Sequence, residues 1–311
     1  MSFSTGPARP DLAALPHLGV GVLFNPALPP FLAEHLDAVD FVEVIPDMFW
    51  EDRGTGARPR YLERAGLVAV LEALGARRPL TCHSVGLSIG SAGLFDEAHL
   101  AQIAAWHARF GFAWHSDHLS FSRMGVEGHE HHAGVSLAVP YDEEVLDLLV
   151  DRVRAVRRAV PGTFLLENNV AYVALPEQDM EEPAFLNALC ARGGCGLLLD
   201  VHNVYCNAVN HGFDAADFVD ALDLAHVVEV HVAGGEELLG MYTDAHSGAV
   251  PEPVWELLAR VGDQAPNLRA ITFEFHESAY DRLGAAGIRA QLERARTVWE
   301  ARPAAVGSAV G

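Results

Sequence analysis

The chain has 311 residues, half of them hydrophobic, and it carries 42 acidic against 21 basic residues, for a formal net charge of −21. This acidic excess repels phosphate backbones and anionic lipids, which argues against nucleic-acid and membrane binding. No apolar run reaches transmembrane length and no signal peptide is recognisable, so we expect a cytoplasmic protein. The four cysteines, none in a C-x-x-C pair, are expected to be reduced core residues.

Short apolar segments alternate with amphipathic segments along most of the chain. The apolar segments mostly lack polar alternation, which is typical of strands covered on both faces. The predicted strands cover residues 18–24, 40–45, 79–84, 112–118, 163–168, 195–201, 226–232 and 270–275. Helical patterns occupy residues 61–74, 96–109, 142–159 and 252–261. Asp142, followed by two glutamates, is a typical helix start.

Eight strands, each followed by a helix or loop, predict an α/β fold with a single (β/α)₈ TIM barrel over residues 18–300. Tails are expected at residues 1–17 and 301–311. A doubly wound open sheet is the competing architecture, but the sequence contains no glycine-rich dinucleotide fingerprint and no P-loop. Residues 121–139 form a long insertion that could serve as a lid.

Residue types that ligate metals end nearly all of the predicted strands. In a (β/α)₈ barrel the carboxyl ends of the strands meet at one face, where catalytic side chains gather. Four carboxylates brought together there would repel one another and lose hydration unless divalent cations neutralised them. The residues concerned, including a D-x-H pair in the loop after the seventh strand, are Glu43, His83, Asp117, His118, Glu167, Asp200, His231, Asp244, His246 and Glu274.

Mixed imidazole and carboxylate ligands without thiolates suit Fe, Mn or Zn, and they argue against a structural zinc site. A Zn- or Mn-dependent hydrolase, or a sugar isomerase or epimerase, is therefore compatible with the same barrel. An endonuclease is disfavoured by the net charge of −21. A metal-binding scaffold without activity is the least favoured alternative, because ligands at a barrel mouth leave coordination positions open to chemistry.

Six motifs, in this order, resemble those of the multinuclear non-heme iron-dependent oxidative enzymes, whose fold is a xylose-isomerase-like TIM barrel. They are CHSVGLSIGS, SDHLSFS, LLENNVAYV, LLLDVHNVYCNAVNHGFD, EVHVAGG and TDAHSGAVPEPVWELL, within roughly residues 18–280. The resemblance implies two or three iron ions and O₂ as co-substrate. It also implies modification of a residue, often Cys and sometimes Asp, in a ribosomally synthesised precursor peptide, with a separate leader-binding partner protein.

The same resemblance distributes nine ligands over three metal positions. The implied groups are His83, His118 and a bridging Glu167; then Glu167, Asp200, His231 and Glu274; then Asn203, Asp244 and His246. Of these, Glu167, Asp200 and His231 are the residues expected to act in catalysis.

Further polar residues are expected to contact substrate or to orient the ligands. Alternation in extended backbone would turn His202 away from Asp200, so His202 is expected behind the ligands. His129 and His131 lie in the insertion, where they could touch substrate or simply belong to a mobile polar loop. The full set is Glu43, Asp47, Asp117, Asn168, His202, His129 and His131.

Three positions depart from the family pattern. Asn25 and Gly235 stand where histidines are common, and the usual Glu-Asn-Tyr after the second strand reads PDMF, which leaves Asp47. These changes spare the metal ligands but leave open which peptide, and which residue of it, is the substrate.

Overall fold

The computed structural model describes residues 9–126, 129–175 and 178–303, and at residues 126, 129 and 130 it describes the backbone alone. Eight parallel strands close into a barrel in the spatial order first, eighth, seventh, sixth, fifth, fourth, third, second. They are β1 (Gly19–Leu23), β2 (Phe41–Val44), β3 (Leu80–Ser84), β4 (His115–His118), β5 (Phe164–Glu167), β6 (Gly196–Asp200), β7 (Val227–Val232) and β8 (Ala270–Phe273). The predicted (β/α)₈ barrel is confirmed, and the open sheet is excluded because β1 pairs with both β2 and β8.

Helices surround the barrel and bury their apolar faces against the strands. Within the described residues they are α1 (Pro29–His35), α2 (Ala65–Gly75), α3 (Glu97–Phe110), α4 (Glu143–Ala159), α5 (Glu182–Gly193), α6 (Val201–His211), α7 (Ala215–Asp220), α8 (Glu252–Gln264) and α9 (Tyr280–Ala301). Short 3₁₀ turns lie at Leu12–Ala14, Leu36–Ala38, Pro46–Phe49, Leu224–His226 and Glu277–Ala279.

Most helix predictions agree with the structure to within a few residues, but the one over residues 61–74 was wrong at its start. Tyr61–Glu63 forms a short strand paired with Trp50–Asp52, and α2 begins only at Ala65. The side chain of Arg60 donates to Asp52 at 2.8 Å beside this pairing, which ties the two strands together. The helical pattern of apolar residues could not reveal the contact between Arg60 and Asp52, because Asp52 lies eight residues earlier in the sequence.

The barrel interior is filled by layers of inward-facing side chains. An apolar layer closes the amino-terminal end, and polar residues occupy the levels above it. The apolar layer consists of Leu12, Phe41, Trp114, Leu165, Leu198, Val228 and Ala270, all buried. Gly21 is required in β1, because a Cβ there would lie 2.5 Å from the ring of Phe41.

A β-bulge in β7 decides which of its side chains enter the barrel. Leu197 pairs with Val227, whereas the next residue, Leu198, pairs with Glu229, so β7 carries one extra residue at this point. The bulge re-aims the strand, so that Val228 joins the apolar layer while Glu229 and His231 face the polar levels above it.

The insertion over residues 121–139 forms a two-stranded antiparallel ribbon, Ser120–Val126 with His129–Ala138. Its role as a lid stays a prediction, as do the domain limits. A third small hairpin, Glu236–Leu238 with Met241–Thr243, follows β7. The four cysteines are free and buried. In the described part of the chain, no helix combines the length and apolarity needed to cross a membrane.

Candidate metal centre

The first set of ligand atoms comes from three neighbouring strands. The Nε2 atoms of His83 and His118 lie 3.4 and 3.2 Å from Oε2 of Glu167, at the ends of β3, β4 and β5. The hydroxyl of Ser116 lies 2.9 Å from Nδ1 of His83 and so leaves Nε2 directed at the carboxylate. These three ligand atoms lie within 4.8 Å of one another.

His231 occupies the middle of the barrel mouth and is fully buried. Its Nδ1 atom is 3.0 Å from Oε1 of Glu274 and 3.6 Å from Oε1 of Glu167. Asp200, at the end of β6, completes a second set with Glu167 and His231. Glu167 therefore faces both sets, one with each of its oxygens.

Two further sets adjoin the loop after β7. Oδ1 of Asp244 lies 2.8 Å from Nε2 of His246 and 2.9 Å from Nδ1 of His202. Nε2 of His246 also lies 3.5 Å from Oε2 of Glu274, and Asp200 joins these two residues in the remaining set. The structure thus brings His202 beside Asp244 and His246, next to the position expected for a third metal.

The backbone at His202 and at His246 is not extended, in contrast to the prediction from the sequence. The side chain of Asp200 accepts the backbone N–H of Asn203 at 2.8 Å and caps α6, so a helix begins directly after β6. Strand alternation therefore does not apply to His202, and its ring lies against Asp244. His246 has a φ of 50°, so the two side chains of the D-x-H pair converge through a turn rather than a strand.

Two asparagines connect β5, β6 and α6 behind the carboxylates. Asn168 donates to the backbone oxygen of Asp200 at 2.9 Å and accepts the N–H of Asp200 at 2.8 Å. Asn203 donates to the backbone oxygen of Asn168 at 3.1 Å. Because its Nδ2 atom is used in this way, the buried Oδ1 of Asn203 is the atom left to serve as a ligand.

Two imidazoles at the mouth, those of His231 and His246, are expected to hold protons when no metal is bound, whereas burial lowers the pKa of His83 well below its usual value. Burial alone would lower the pKa of His231, but the Glu274 and Glu43 carboxylates raise it well above its usual value. Burial likewise opposes the charge on His246, yet Asp244 and Glu274 raise the pKa of His246 to about 10. Protons on these rings therefore offset part of the negative charge of the carboxylates.

The pKa values of the buried carboxylates at the mouth shift in opposite directions. Burial, followed by repulsion from Glu167 and Asp244, raises the pKa of Asp200 well above its usual value. Burial would also raise the pKa of Glu274, but His231 and the neighbouring imidazole of His246 lower it. A cation beside Asp200 would therefore offset the repulsion that favours its protonated form.

Several buried ligand atoms form no hydrogen bond among the described residues. They are Oε2 of Glu167, Oδ2 of Asp200, Oδ1 of Asn203, Nδ1 of His231 and Nε2 of His246. Ring nitrogens approach carboxylate oxygens at 2.8–3.6 Å without the alignment of hydrogen bonds. Buried polar atoms are seldom left in this state, and divalent metals about 2.0–2.2 Å from nitrogen and oxygen ligands would satisfy them.

Beneath the mouth lies a level of fully buried groups, and the sequence pattern predicted only some of them. Oε2 of Glu43 is 2.7 Å from Nε2 of His231, so this imidazole has a carboxylate on each side. Glu229 accepts hydrogen bonds from Trp114 and Thr272, both at 2.6 Å. Burial and repulsion from Glu43 raise the pKa of Glu229 to about 8. Glu229 was missed, although its position two residues before His231 in one strand indicates a shared face.

Two other predicted residues, Asp47 and Asp117, have partners outside the four ligand sets. Asp117 alternates with His118 on β4 and is buried on the helix side, where burial and the nearby Asp47 raise the pKa of Asp117 well above its usual value. Asp47 accepts hydrogen bonds from Ser84 Oγ at 3.2 Å and from the backbone N–H of Val85 at 3.1 Å. His131 is exposed on the ribbon, and the side chain of His129 lies outside the described residues.

A second polar cluster, buried apart from the exposed Asp52, lies on the helix side of β2 and β3, and we call it the Asp96 network. It consists of Asp52, Arg60, Asp96, His99 and Arg123. Asp96 accepts from Arg60 at 2.7 and 2.9 Å, from Arg123 at 2.8 Å and from the backbone N–H of His99 at 3.0 Å. Burial would raise the pKa of Asp96, but the Arg60 guanidinium and these other donors hold it well below its usual value.

Solved structures that resemble this chain at low identity establish the fold alone. Endonuclease IV from Thermus thermophilus matches with a TM-score of 0.54 and 19% identity, over 91% of this chain and 99% of that one. A D-psicose 3-epimerase matches with a TM-score of 0.55 and 10% identity, over 90% and 99% of the two chains. A xylose isomerase-like TIM barrel protein from Mycobacterium smegmatis matches with a TM-score of 0.51 and 13% identity, over 93% and 99%.

Sequence relatives are much closer. A UPF0276 protein of Rhizorhabdus wittichii is 38% identical over 232 residues, which are 73% of this chain and 78% of the relative. A UPF0276 protein of Caulobacter vibrioides is 35% identical over 227 residues, 73% of this chain and 76% of the relative. The sequence model described as RiPP precursor modification enzyme MbnB/TglH/ChrH matches residues 19–283, which include every proposed ligand. The chain therefore belongs to the MbnB/TglH/ChrH family of enzymes that modify precursors of ribosomally synthesised peptides.

Proposed function

We propose that the protein is an O₂-dependent oxidase that uses two or three iron ions to modify a residue of a ribosomally synthesised precursor peptide. Cysteine is the favoured target and aspartate the next. We also propose that a separate protein delivers the precursor by binding its leader segment.

One observation carries the multinuclear part of this proposal. The four sets of potential ligands at the mouth form a continuous series, because each set shares a residue with the next. Glu167 links the first set to the second, Asp200 links the second to the third, and His246 links the third to the fourth. Metal ions held by such sets would be neighbours. A centre that binds O₂ and the substrate residue side by side requires this arrangement.

The donor chemistry supports iron over a structural metal. Imidazole and carboxylate ligands with no thiolate among them suit non-heme iron. The thiol of Cys206 lies 3.8 Å from the ring of His202, and burial and the adjacent Asp244 raise the pKa of this thiol well above its usual value. When bound, iron would supply the electrons that O₂ needs, which redox-inert Zn²⁺ cannot do.

The residues of the chain have separate tasks in this proposal. Glu167 would bridge two ions, since its two oxygens face different imidazoles. Asn168 fixes the backbone at Asp200 and so sets where its carboxylate points. Glu43 holds His231 from below, which directs Nδ1 towards the mouth. Histidines protonated in the metal-free protein would release their protons as metal binds.

The test is anaerobic reconstitution of the full chain with Fe(II), Mn(II) or Zn(II), followed by O₂ and the precursor peptide encoded beside its gene. We expect at least two metals per chain by elemental analysis, and peptide oxidation with O₂ consumption only in the iron form. A single metal per chain, or equal turnover of the peptide by the zinc form without O₂, would contradict the proposal.

A further inference from the structure

A groove opens on the outer side of the loop between β5 and α5. Its cavity volume is about 480 Å³, within the usual range of about 300–1,000 Å³ for ligand pockets. Apolar side chains from the end of the ribbon, the loop and α7 line the groove. Val139 and Phe218 are buried and form its floor, and Ala138, Ala171, Val173 and Leu175 also line it.

The rim of the groove is acidic. Glu181 stands at the start of α5, and Asp214 and Asp217 stand at the start of α7, whereas burial raises the pKa of the neighbouring Glu182 to about 7 and so weakens its negative charge. Of the described residues that line the groove, none is lysine or arginine. The local field therefore favours a ligand that carries positive charge beside an apolar group.

The groove neighbours the metal centre across α6, although none of its described lining residues is a proposed ligand. Asn207 lines the groove and anchors the loop, donating to the backbone oxygen of Asn169 at 3.0 Å and accepting the N–H of Ala171 at 2.9 Å. Asn203, which faces the metal centre, lies one helical turn earlier on the same face, about 6 Å away. An extended peptide spans about 3.3 Å per residue, so one that rests in the groove reaches the centre within a few residues.

Exposed apolar side chains mark the groove as an interaction surface. Val173 is 72% exposed and Phe213 is 38% exposed, and both line the same cavity. Large exposed apolar groups bordered by polar residues are typical of binding surfaces. A second copy of this chain is a poor occupant, because a net charge of −21 would bring like charges to an acidic rim.

We propose that this groove binds the stretch of the substrate peptide next to the modified residue, and that it selects an apolar side chain flanked by lysine or arginine. The inference rests on the proposed function, since it takes a precursor peptide as the occupant. The apolar floor accepts the hydrophobic side chain, and the carboxylates at the rim pair with the basic one.

The experiment is a selection of random twelve-residue peptides by mRNA display on the full chain loaded with Zn²⁺, without turnover. Enriched peptides are then measured by fluorescence anisotropy against three variants. Ala174→Trp fills the groove, Glu181→Lys reverses charge at its rim, and Glu34→Lys makes the same charge change on α1. Metal content and circular dichroism establish that each variant is folded and loaded.

We expect the enriched peptides to share a basic residue next to an apolar one. Ala174→Trp and Glu181→Lys should each weaken their binding roughly ten-fold, whereas Glu34→Lys should change it less than about two-fold. Peptides without a basic residue, or affinities unaffected by both groove variants, would overturn the inference. So would a dimer, seen by light scattering, that Ala174→Trp disperses, because a second copy would then be the occupant.

Failure of this inference is distinguishable from failure of the proposed function. The zinc-loaded binding assay needs neither iron nor O₂, so its result stands even if the oxidase proposal is wrong. Conversely, iron-dependent oxidation of a precursor with an unchanged KM in both groove variants would refute only the proposed role of the groove in peptide binding.

Discussion

The metal centre and the Asp96 network are both buried polar clusters beside the same strands, but their charges are balanced in different ways. In the Asp96 network two guanidinium groups donate directly to one carboxylate, at 2.7–2.9 Å. At the metal centre the proposed ligands are carboxylates, an amide and imidazoles, and several of their buried atoms form no hydrogen bond within the described residues. A cluster that contains its own permanent cations is complete, whereas one built from titratable groups is arranged to receive cations from outside.

The largest effect that separates the two clusters is expected at the bridging carboxylate. Glu167→Gln would remove the charge that faces both His118 and His231. We expect metal content to fall by at least one ion per chain and turnover to fall about 10³-fold or more, because metal centres supply several kcal/mol of transition-state stabilisation. Elemental analysis and peptide oxidation measure both quantities, with exposed Glu237→Gln as control. Full metal content and activity in Glu167→Gln would show that Glu167 is not a ligand.

The second variant removes the central carboxylate of the Asp96 network. Asp96→Ala would remove the buried carboxylate that Arg60 and Arg123 share, although Arg60 would keep its hydrogen bonds to Asp52. We expect the free energy of unfolding to fall by about 3–5 kcal/mol while metal content of the folded protein is unchanged. Urea unfolding measures the loss.

Asp151→Ala is the matched control for this variant. Its carboxylate forms an exposed ion pair with Arg154 at 3.4 Å, and exposed pairs contribute less than about 1 kcal/mol. If Asp96→Ala lost metal but kept its stability, the contrast between the two clusters would be wrong.

A smaller effect is expected below the metal centre. Glu43→Gln would replace the carboxylate that lies 2.7 Å from Nε2 of His231. We expect metal affinity to fall about 10–100-fold with the fold intact, since carboxylates behind ligating histidines set ring orientation and basicity. Competition titration with Co(II) measures the affinity. Thr81→Val removes only a 3.4 Å contact to the other oxygen of Glu43 and should have little effect. Equal losses in both variants would point to general disruption of the barrel.

The last expected effect concerns stability rather than metal binding or turnover, and it is the pH dependence of the metal-free protein. The pKa of His246 is about 10 in the fold against an ordinary 6.5, so its contribution to stability is complete below pH 6.5 and disappears as pH rises through 10. The raised pKa of Asp200, caused first by burial, acts in the same direction, because the folded form retains a proton that the unfolded form has lost. The urea concentration at the midpoint of unfolding should therefore decrease as the pH rises from about 7 to 10. The decrease should be steeper with a chelator present than with metal bound. Parallel curves would contradict this assignment of charge.

The order and type of the elements could be predicted from the sequence, because local patterns carry that information. Apolar runs without alternation gave eight strands, and polar residues at the ends of those runs gave the ligands, including His83, Glu167 and His231. Asp200 could also have been read as a helix cap, which would have placed His202 on α6. The Asp96 network was not foreseen, since Arg60 and Arg123 meet Asp96 only through tertiary packing.

The sequence alone determined that carboxylates and imidazoles would gather at one end of a barrel, because strand pattern and chain direction fix which residues end each strand. Only the tertiary structure decided which of them meet. The bulge between β6 and β7 turns Glu229 and His231 inward, and the turn at His246 brings its ring to Asp244. Such contacts join residues far apart in the chain, and they depend on register and backbone conformation that no local pattern specifies.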